Sequence, residues 1–391
     1  MRFKKPSDIS IRHISILLVT LLISKLLLVL LVILVPFDSI LSEFIPPEVQ
    51  FHNRRVLGID DPQYPLLRKL SYSWDSIHYI KIAEGGYRYY DGSEYPDSMR
   101  VFNGMTQCLH SHLFMYPLLI RFLSLFTDLL VASLLVSNTA SLASLVLFYV
   151  AASKYVGNDS AFKSSLLFLF YPSNMVHGMV SYSDSLFTAL IIGAWLLFDG
   201  KRYFLAGFTS LIASFTRYPG ALLFPIFSVL CLLRSRRGKN RMAVLNQLIV
   251  LNLFSIPLLY WLFVQIPSDT GRSLSEIELM CHGNSVGIPG SFILSTSALN
   301  AYFLYFFFLG LYCLKDVDKS LMIYSGVFLV LYASLEGNAV VSIGRYVGTI
   351  WPIYLYYGKK IDSITLYFLS MVMLVISFIM LELFVNYITI I

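Results

Sequence analysis

The strongest constraint on this chain is a 22-residue apolar run, Ile14 to Val35, long enough on its own to cross the hydrocarbon core of a bilayer as a helix. Arg2, Lys4, Lys5 and Arg12 precede it. It is too long for the apolar core of a typical cleaved signal peptide, so the expectation is an uncleaved anchor that leaves the N-terminus in the cytosol. Lys25 interrupts the run. A cation at that depth has to face other helices or water, as a structural partner or as part of a pathway.

Further apolar runs extend to the end of the chain: Leu129 to Ala152, Ser164 to Val176, Ser185 to Phe198, Tyr203 to Phe215, Gly220 to Leu233, Val244 to Gln265, Leu299 to Leu314, Ser320 to Leu335, Val347 to Tyr357 and Ile364 to Ile388. Leu113 to Phe126, short and carrying Pro117 and Arg121, reads as a helix lying in the interface or as an imperfect span. Of the 391 residues 57% are hydrophobic and only 13% charged. Soluble domains carry about 25% charge, which excludes that class. The net charge of +6 is spread over short clusters between apolar runs and forms no single basic face, so it does not point to nucleic acid. The fold class expected is an all-α polytopic membrane protein with roughly 9–11 transmembrane or partial helices. Several runs fall short of the roughly 20 residues a crossing needs, which predicts helices lining a cavity within the membrane. Residues 1–391 are expected to form a single polytopic domain, and no internal repeat of the kind seen in transporters is found.

Alternation from a cytosolic N-terminus puts Lys154, Lys163, Lys201-Arg202, the run Arg234 to Arg241, Lys315, Lys319 and Lys359-Lys360 on the cytosolic side. The short loops of the other side keep only Arg217, Arg272 and Arg345, as the positive-inside rule requires. Trp74-Asp75, the Ser181 to Asp184 turn, Cys281-His282 and Glu336 fall on that same extracytoplasmic face. Residues 36–112 form the first loop there, too long for a turn and too aromatic for a linker, and it is expected to be folded and to carry function.

Within that loop, SWDSIHYIKIAEGGY, Ser73 to Tyr87, reads as a short capped helix. Ser73 is placed to cap it, Asp75 lies in the first turn where the helix dipole favours negative charge, and Gly85-Gly86 stops it. Trp74, Ile77, His78 and Lys81 share one face; Asp75, His78, Tyr79 and Ile82 share the adjoining one.

The order WD, H-aromatic, IA, GY resembles the lumenal motif of the PIG-V-type second mannosyltransferases of GPI-anchor assembly, which are polytopic glycosyltransferases of the GT-C type. The segment YPSNMVHGMVSYSDSLF, Tyr171 to Phe187, is similar to that family's proline-containing segment, with Asp184 where the family has Glu. The family's second arginine motif is matched by Arg217, although its neighbours Tyr218-Pro219-Gly220 depart. Its Trp-Cys pair is reduced to Cys281-His282, and the His and Gln before its last Arg are absent ahead of Arg345.

The resemblance implies a GT-C bundle in the endoplasmic reticulum membrane that transfers mannose on the lumenal side from dolichyl-phosphate mannose to a GPI-lipid precursor, α1,6-linked and with inversion. Such a reaction needs a carboxylate to take the acceptor proton, cations to steady the departing phosphate, and an apolar groove for the lipid. Asp75 is the expected base, with Asp60 and Asp61 as alternative acids. Arg217 and Arg345 are expected on the phosphate, because planar guanidinium groups match phosphate oxygens. Trp74, His78 and Asp184 are expected to contact substrate, although Ser183 or Ser185 also reads simply as the cap of the next helix. The chemistry calls for no soluble cofactor and leaves room for a divalent ion at the phosphate. Expected partners are the donor, the acceptor lipid, membrane lipids and a small regulatory membrane subunit, and no nucleic acid. The alternatives are another polyprenyl-phosphate-sugar transferase of the same fold, and a transporter with Asp75, Arg217 and Lys25 on its path.

Cys108 and Cys281 both fall in extracytoplasmic loops where a disulfide between them is chemically allowed. Cys108, His110 and His112 alternate but lack the second distant pair that a metal cluster uses. The sequon Asn158-Asp159-Ser160 falls on the cytosolic side and is expected to stay unglycosylated. A glycosidase-sensitive mobility shift that disappears in Asn158→Gln would invert this topology.

Overall fold

A bilayer offers no water to unpaired backbone amides, which leaves a chain of this composition helices or a closed barrel. The computed structural model describes residues 9–35, 66–72, 75–87, 109–235, 241–270, 306–333 and 343–385, and no strand is found among them. The helices are α1 (Ile11–Leu34), α2 (Leu66–Ser71), α3 (Asp75–Gly85), α4 (Met115–Leu123), α5 (Leu129–Val156), α6 (Asn158–Phe170), α7 (Pro172–His177), α8 (Asp184–Asp199) and α9 (Tyr203–Thr216). They continue with α10 (Leu223–Ser235), α11 (Arg241–Leu253), α12 (Ser255–Tyr260), α13 (Ile266–Thr270), α14 (Lys319–Ala333), α15 (Ile343–Val347), α16 (Ile353–Lys360) and α17 (Ser363–Val385). The chain is an all-α polytopic membrane protein. Four described helical stretches are long and apolar enough to cross: Ile11–Leu34, Leu129–Val156, Met242–Asp269 and Ser363–Val385.

Several apolar runs are broken by local chemistry that their hydropathy hides. The run Ser164 to Val176 divides into α6 and α7 because Pro172 has no N–H to give and instead occupies the first position of α7. The run from Gly220 opens as a 3-10 turn, Tyr218–Leu222, before α10 begins. Pro352 stands at the N-cap of α16, after the turn that follows α15. Leu113 to Phe126 becomes α4, which buries Tyr116, Pro117 and Ile120 and leaves Leu118, Phe122, Leu125 and Phe126 exposed. That one-sided pattern suits a helix lying along an interface.

The centre of the bundle is α5, capped by Asp128, whose Oδ1 accepts from the Leu130 and Val131 amides at 2.8 and 3.3 Å. Ser133, Ser137, Ala140, Ser141 and Ser144 recur at helical spacing on one buried face of α5. Small residues let helices approach closely where lipid supplies no hydrophobic drive between them, and α6 and α8 pack there. Lys25 of α1 meets polar partners inside the bundle, donating to Asn138 Oδ1 at 2.9 Å and to the Gly178 carbonyl at 2.7 Å.

The two ends of α8 carry different chemistry. At its C-terminus the buried Asp199 pairs with Lys154 and, at 3.3 Å, with Arg234, so the basic ends of α5 and α10 gather there. Lys163 donates to the Ile361 carbonyl at 3.0 Å, and Asn158 opens α6. At its N-terminus stands Asp184. The 16 residues of α8 span about 24 Å between these ends, less than a full hydrocarbon core.

Gly358 is where α16 meets the backbone of α6: a Cβ there would lie 2.6 Å from Ser164 Cα and 2.5 Å from its amide nitrogen. Gly358→Ala is expected to lower stability by about 1–3 kcal/mol, because backbone cannot give way as a side-chain tip can. Gly193→Ala, which meets only Leu147 Cδ1 at 3.9 Å, is expected to change little. Thermal unfolding of both variants in detergent tests the contrast.

Candidate active site

Four helix ends deliver four charges to one place. Asp75 opens α3, Asp184 opens α8, Arg217 follows the last residue of α9, and Arg345 lies in α15. An N-terminus favours a carboxylate because unpaired amides and the helix dipole face it, which suits both aspartates. The Asp75 amide donates to the Tyr182 hydroxyl at 3.3 Å. Four chain segments distant in sequence are thereby drawn together.

Arg345 is the hub. Its Nε and Nη2 donate to the two oxygens of Asp184 at 3.0 and 2.9 Å, a fork on a carboxylate. Its Nη1 donates to Asp75 Oδ2 at 3.0 Å. Arg217 stands against the same Asp184, Nη1 to Oδ1 at 2.5 Å, as an ion pair without hydrogen-bond alignment. The two carboxylates are not equivalent: the Asp184 side chain is 8% exposed and that of Asp75 38%. Asp184 is thus the fixed counter-ion of both guanidinium groups, while Asp75 is the accessible one. Aromatic faces complete the setting, with Arg345 over Tyr182 at 4.5 Å and Arg217 over Tyr346 at 5.2 Å.

Asp75 is strongly acidic. Partial burial favours its neutral form, but the Arg345 guanidinium, helped by His112 and His78, outweighs this and holds the carboxyl well below the usual carboxylate range. The His78 and His112 rings stack at 4.5 Å, and His112 meets the edge of Tyr79 at 5.1 Å. Burial pushes the Tyr79 phenol up to about 12, so it remains a neutral hydroxyl, paired with Ser183 Oγ at 2.8 Å.

The sequence expected Ser183 or Ser185 to cap α8, and here the structure differs. Ser183 takes helical backbone angles, φ −78° and ψ −5°, and makes no side-chain cap bond. An extended residue is needed for the side chain to reach back to the first amides. Its hydroxyl turns to Tyr79 instead, and Asp184 turns to the arginines.

Behind the charges a cavity of about 20 Å³ touches Asp184, Arg345, His177, Ser173 and Thr188 on one side and Leu21, Leu145 and Phe168 on the other. It has room for a water rather than for a lipid tail. His110 and His112 part ways: His110 packs on Tyr87 at 4.9 Å and His112 on His78. Among the described residues no group of three or more His, Cys, Asp and Glu is arranged to hold a metal.

Of the residues singled out by sequence, Asp75, His78, Asp184, Arg217 and Arg345 are brought to this one end of the bundle. Trp74, Asp60, Asp61, Cys108, Cys281, His282 and Glu336 lie outside the described residues. Reasoning from sequence placed Tyr79 beside Asp75 and weighed His112 only as a metal ligand, and it gave no role to Tyr182 or Tyr346. The signal for two of them was present: Tyr346 adjoins Arg345, and Tyr182 stands two places before Asp184.

The model of the mannosyltransferase (PIG-V) family matches residues 14–216, just over half of the chain. The chain belongs to the PIG-V mannosyltransferase family. It is accordingly a glycosyltransferase, and the matched region holds Asp75 and Asp184, ends one residue before Arg217 and leaves Arg345 beyond it. No curated protein and no solved structure matches the chain.

Removing the Asp184 charge leaves Arg217 without its carboxylate and Arg345 with the half-exposed Asp75 alone. Asp184→Asn is expected to destabilise the protein by about 3 kcal/mol or more, the scale of a broken buried pair. Asp75→Asn is expected to have a far smaller effect. Equal shifts in the thermal midpoint of the two variants would contradict the fixed and accessible assignment.

Proposed function

We propose that this protein adds the second, α1,6-linked mannose to the GPI-lipid precursor on the lumenal side of the endoplasmic reticulum membrane, with dolichyl-phosphate mannose as donor. The observation that carries this reading is the shared hold of Arg345 on an accessible Asp75 and a buried Asp184, with Arg217 alongside, in a chain of the PIG-V family. The basic clusters at the far end of α8 support the orientation, since they belong on the cytosolic side.

In the reaction proposed, the acceptor hydroxyl oxygen attacks the mannose C1 from the face opposite the phosphate. The bond from C1 to the phosphate oxygen breaks, the phosphate departs with the electron pair, and Asp75 takes the hydroxyl proton. The fork of Arg345 is occupied by Asp184, so the phosphate does not take that face. It takes Nη1, where Asp75 is the more exposed and replaceable partner, together with Arg217. Donor binding then does two things at once: it neutralises Arg345 and releases Asp75. A carboxylate held by a guanidinium is a weak base, and one facing a phosphate is a stronger base. His78 and its stacked partner His112 flank the released carboxylate and orient it or the acceptor. No step requires a soluble cofactor.

Transfer of radiolabelled mannose from dolichyl-phosphate mannose tests the proposal in membranes from cells lacking the second GPI mannosyltransferase. The wild-type chain is expected to restore the dimannosyl lipid, and Asp75→Ala to lose about 100-fold or more, as befits a lost general base. Its pH profile carries a sign. Because donor binding raises the affinity of Asp75 for its proton, the acid limb of kcat, which reports the donor-bound enzyme, is expected at higher pH than that of kcat/KM for the donor. The opposite order would refute the release of Asp75, and mannose found on a different acceptor would make the chain another transferase of this type.

A further inference from the structure

Lys25 takes no part in that chemistry, yet it is the cation of the first span and is buried, at 8% exposure. An amine inside a membrane-spanning helix has to find polar partners within the bundle. Its two partners are specific. Asn138 of α5 is held by its own Nδ2, which donates to the Leu134 carbonyl at 2.9 Å, so its Oδ1 faces Lys25 and accepts at 2.9 Å. The second partner is the carbonyl of Gly178, the C-cap of α7, at 2.7 Å. Gly178 lies against α5 so closely that a Cβ would stand 2.7 Å from Ser141 Oγ.

Residue 178 begins the turn that ends at Asp184. That turn is tied to α5 by Ser133 Oγ to Ser181 Oγ at 2.6 Å and by Ser137 Oγ, which donates to the Tyr182 carbonyl at 3.0 Å. Five residues separate Gly178, whose carbonyl Lys25 holds, from Asp184, whose carboxylate holds both arginines, and among them is Tyr182, which accepts from the Asp75 amide and underlies Arg345. Each of those hydroxyls joins α5 to the turn at one point, whereas the Lys25 amine holds α5 and the start of the turn at once, through Asn138 and Gly178.

We infer that Lys25 is a positioning residue for the reaction: through Gly178 and Asn138 it fixes the 178–184 turn, and so sets Asp184, Tyr182 and the two arginines at the geometry that receives the donor phosphate. It acts from α1, a helix that carries none of the four charges. This inference rests on the mannosyltransfer reading for its effect on rate, but its structural half stands apart from that reading.

Backbone amide exchange of the purified full chain in detergent micelles reads the structural half without turnover. In Lys25→Met, exchange across residues 178–184 is expected to rise about ten-fold or more, while peptides from α5 and α9 stay at wild-type protection. In membranes the same variant is expected to lose about ten- to hundred-fold in kcat/KM for the donor, mostly through a raised donor KM, the scale set by a displacement of about 1 Å at a catalytic group. Lys25→Arg, which keeps N–H donors at the end of a long side chain, is expected to recover most of both. Should Lys25→Met fail to accumulate, Asn138→Ala removes one of the two partners and is expected to raise exchange over the same residues.

Exchange that rises equally over the whole bundle, or that leaves 178–184 unchanged in the variant recovered, would overturn the inference. So would faster exchange there with transfer at the wild-type rate. A wild-type chain that transfers no mannose would instead refute the proposed function, and the exchange result would still decide the role of Lys25 in holding the turn.

Discussion

The architecture at the active end depends on a single guanidinium. Arg345 is nearly buried and holds Asp184 with one edge and Asp75 with a remaining nitrogen. A buried arginine is tolerable only where carboxylates and hydrogen bonds replace its water, and removing one partner of such a set is far more costly than the set is stabilising. This explains why four helix ends separated by up to 270 residues meet here. It also explains why α15, only five residues long, has a defined place.

The asymmetry between the two aspartates gives the cluster a chemical direction. Among the described residues two positive and two negative charges balance there, and both guanidinium groups already face a carboxylate. What the site has is one exchangeable partner. In the reaction proposed, an incoming anion exchanges with the exposed carboxylate and leaves the buried one in place, which keeps the arginines oriented while changing what Asp75 faces. On that proposal, binding of the leaving group and activation of the base become one event. A transporter lined by the same residues would need mobile charge along a path, whereas here the charges are pinned at one end of the bundle and the opposite end holds its own closed set around Asp199.

Much of this was legible in the sequence, for definable reasons. Length and hydropathy specify a membrane bundle, and the distribution of Lys and Arg separates its two ends, because both follow from transfer free energies that sum over residues. Asp75, Asp184, Arg217 and Arg345 were legible as charges left on the sparsely charged face. Their pairing was not. Hydropathy alone gave no sign that Asp184 would take the arginine fork expected to be free for phosphate, nor that Ser183 would adopt helical angles and lose its capping role to a bond with Tyr79. The breaks at Pro172 and Pro352 were present as residues but submerged in apolar runs. Tyr182 and Tyr346 look like ordinary aromatic residues until the arginines are seen over their rings.

The most direct test is a structure of the full chain in a lipid nanodisc with dolichyl-phosphate mannose bound. The account requires a phosphate oxygen within hydrogen-bond distance of Arg345 Nη1, Asp184 still on Nε and Nη2, and the Asp75 carboxylate released toward the acceptor side. A phosphate seated away from Arg345, with the contact between Asp75 and Arg345 intact, would contradict it.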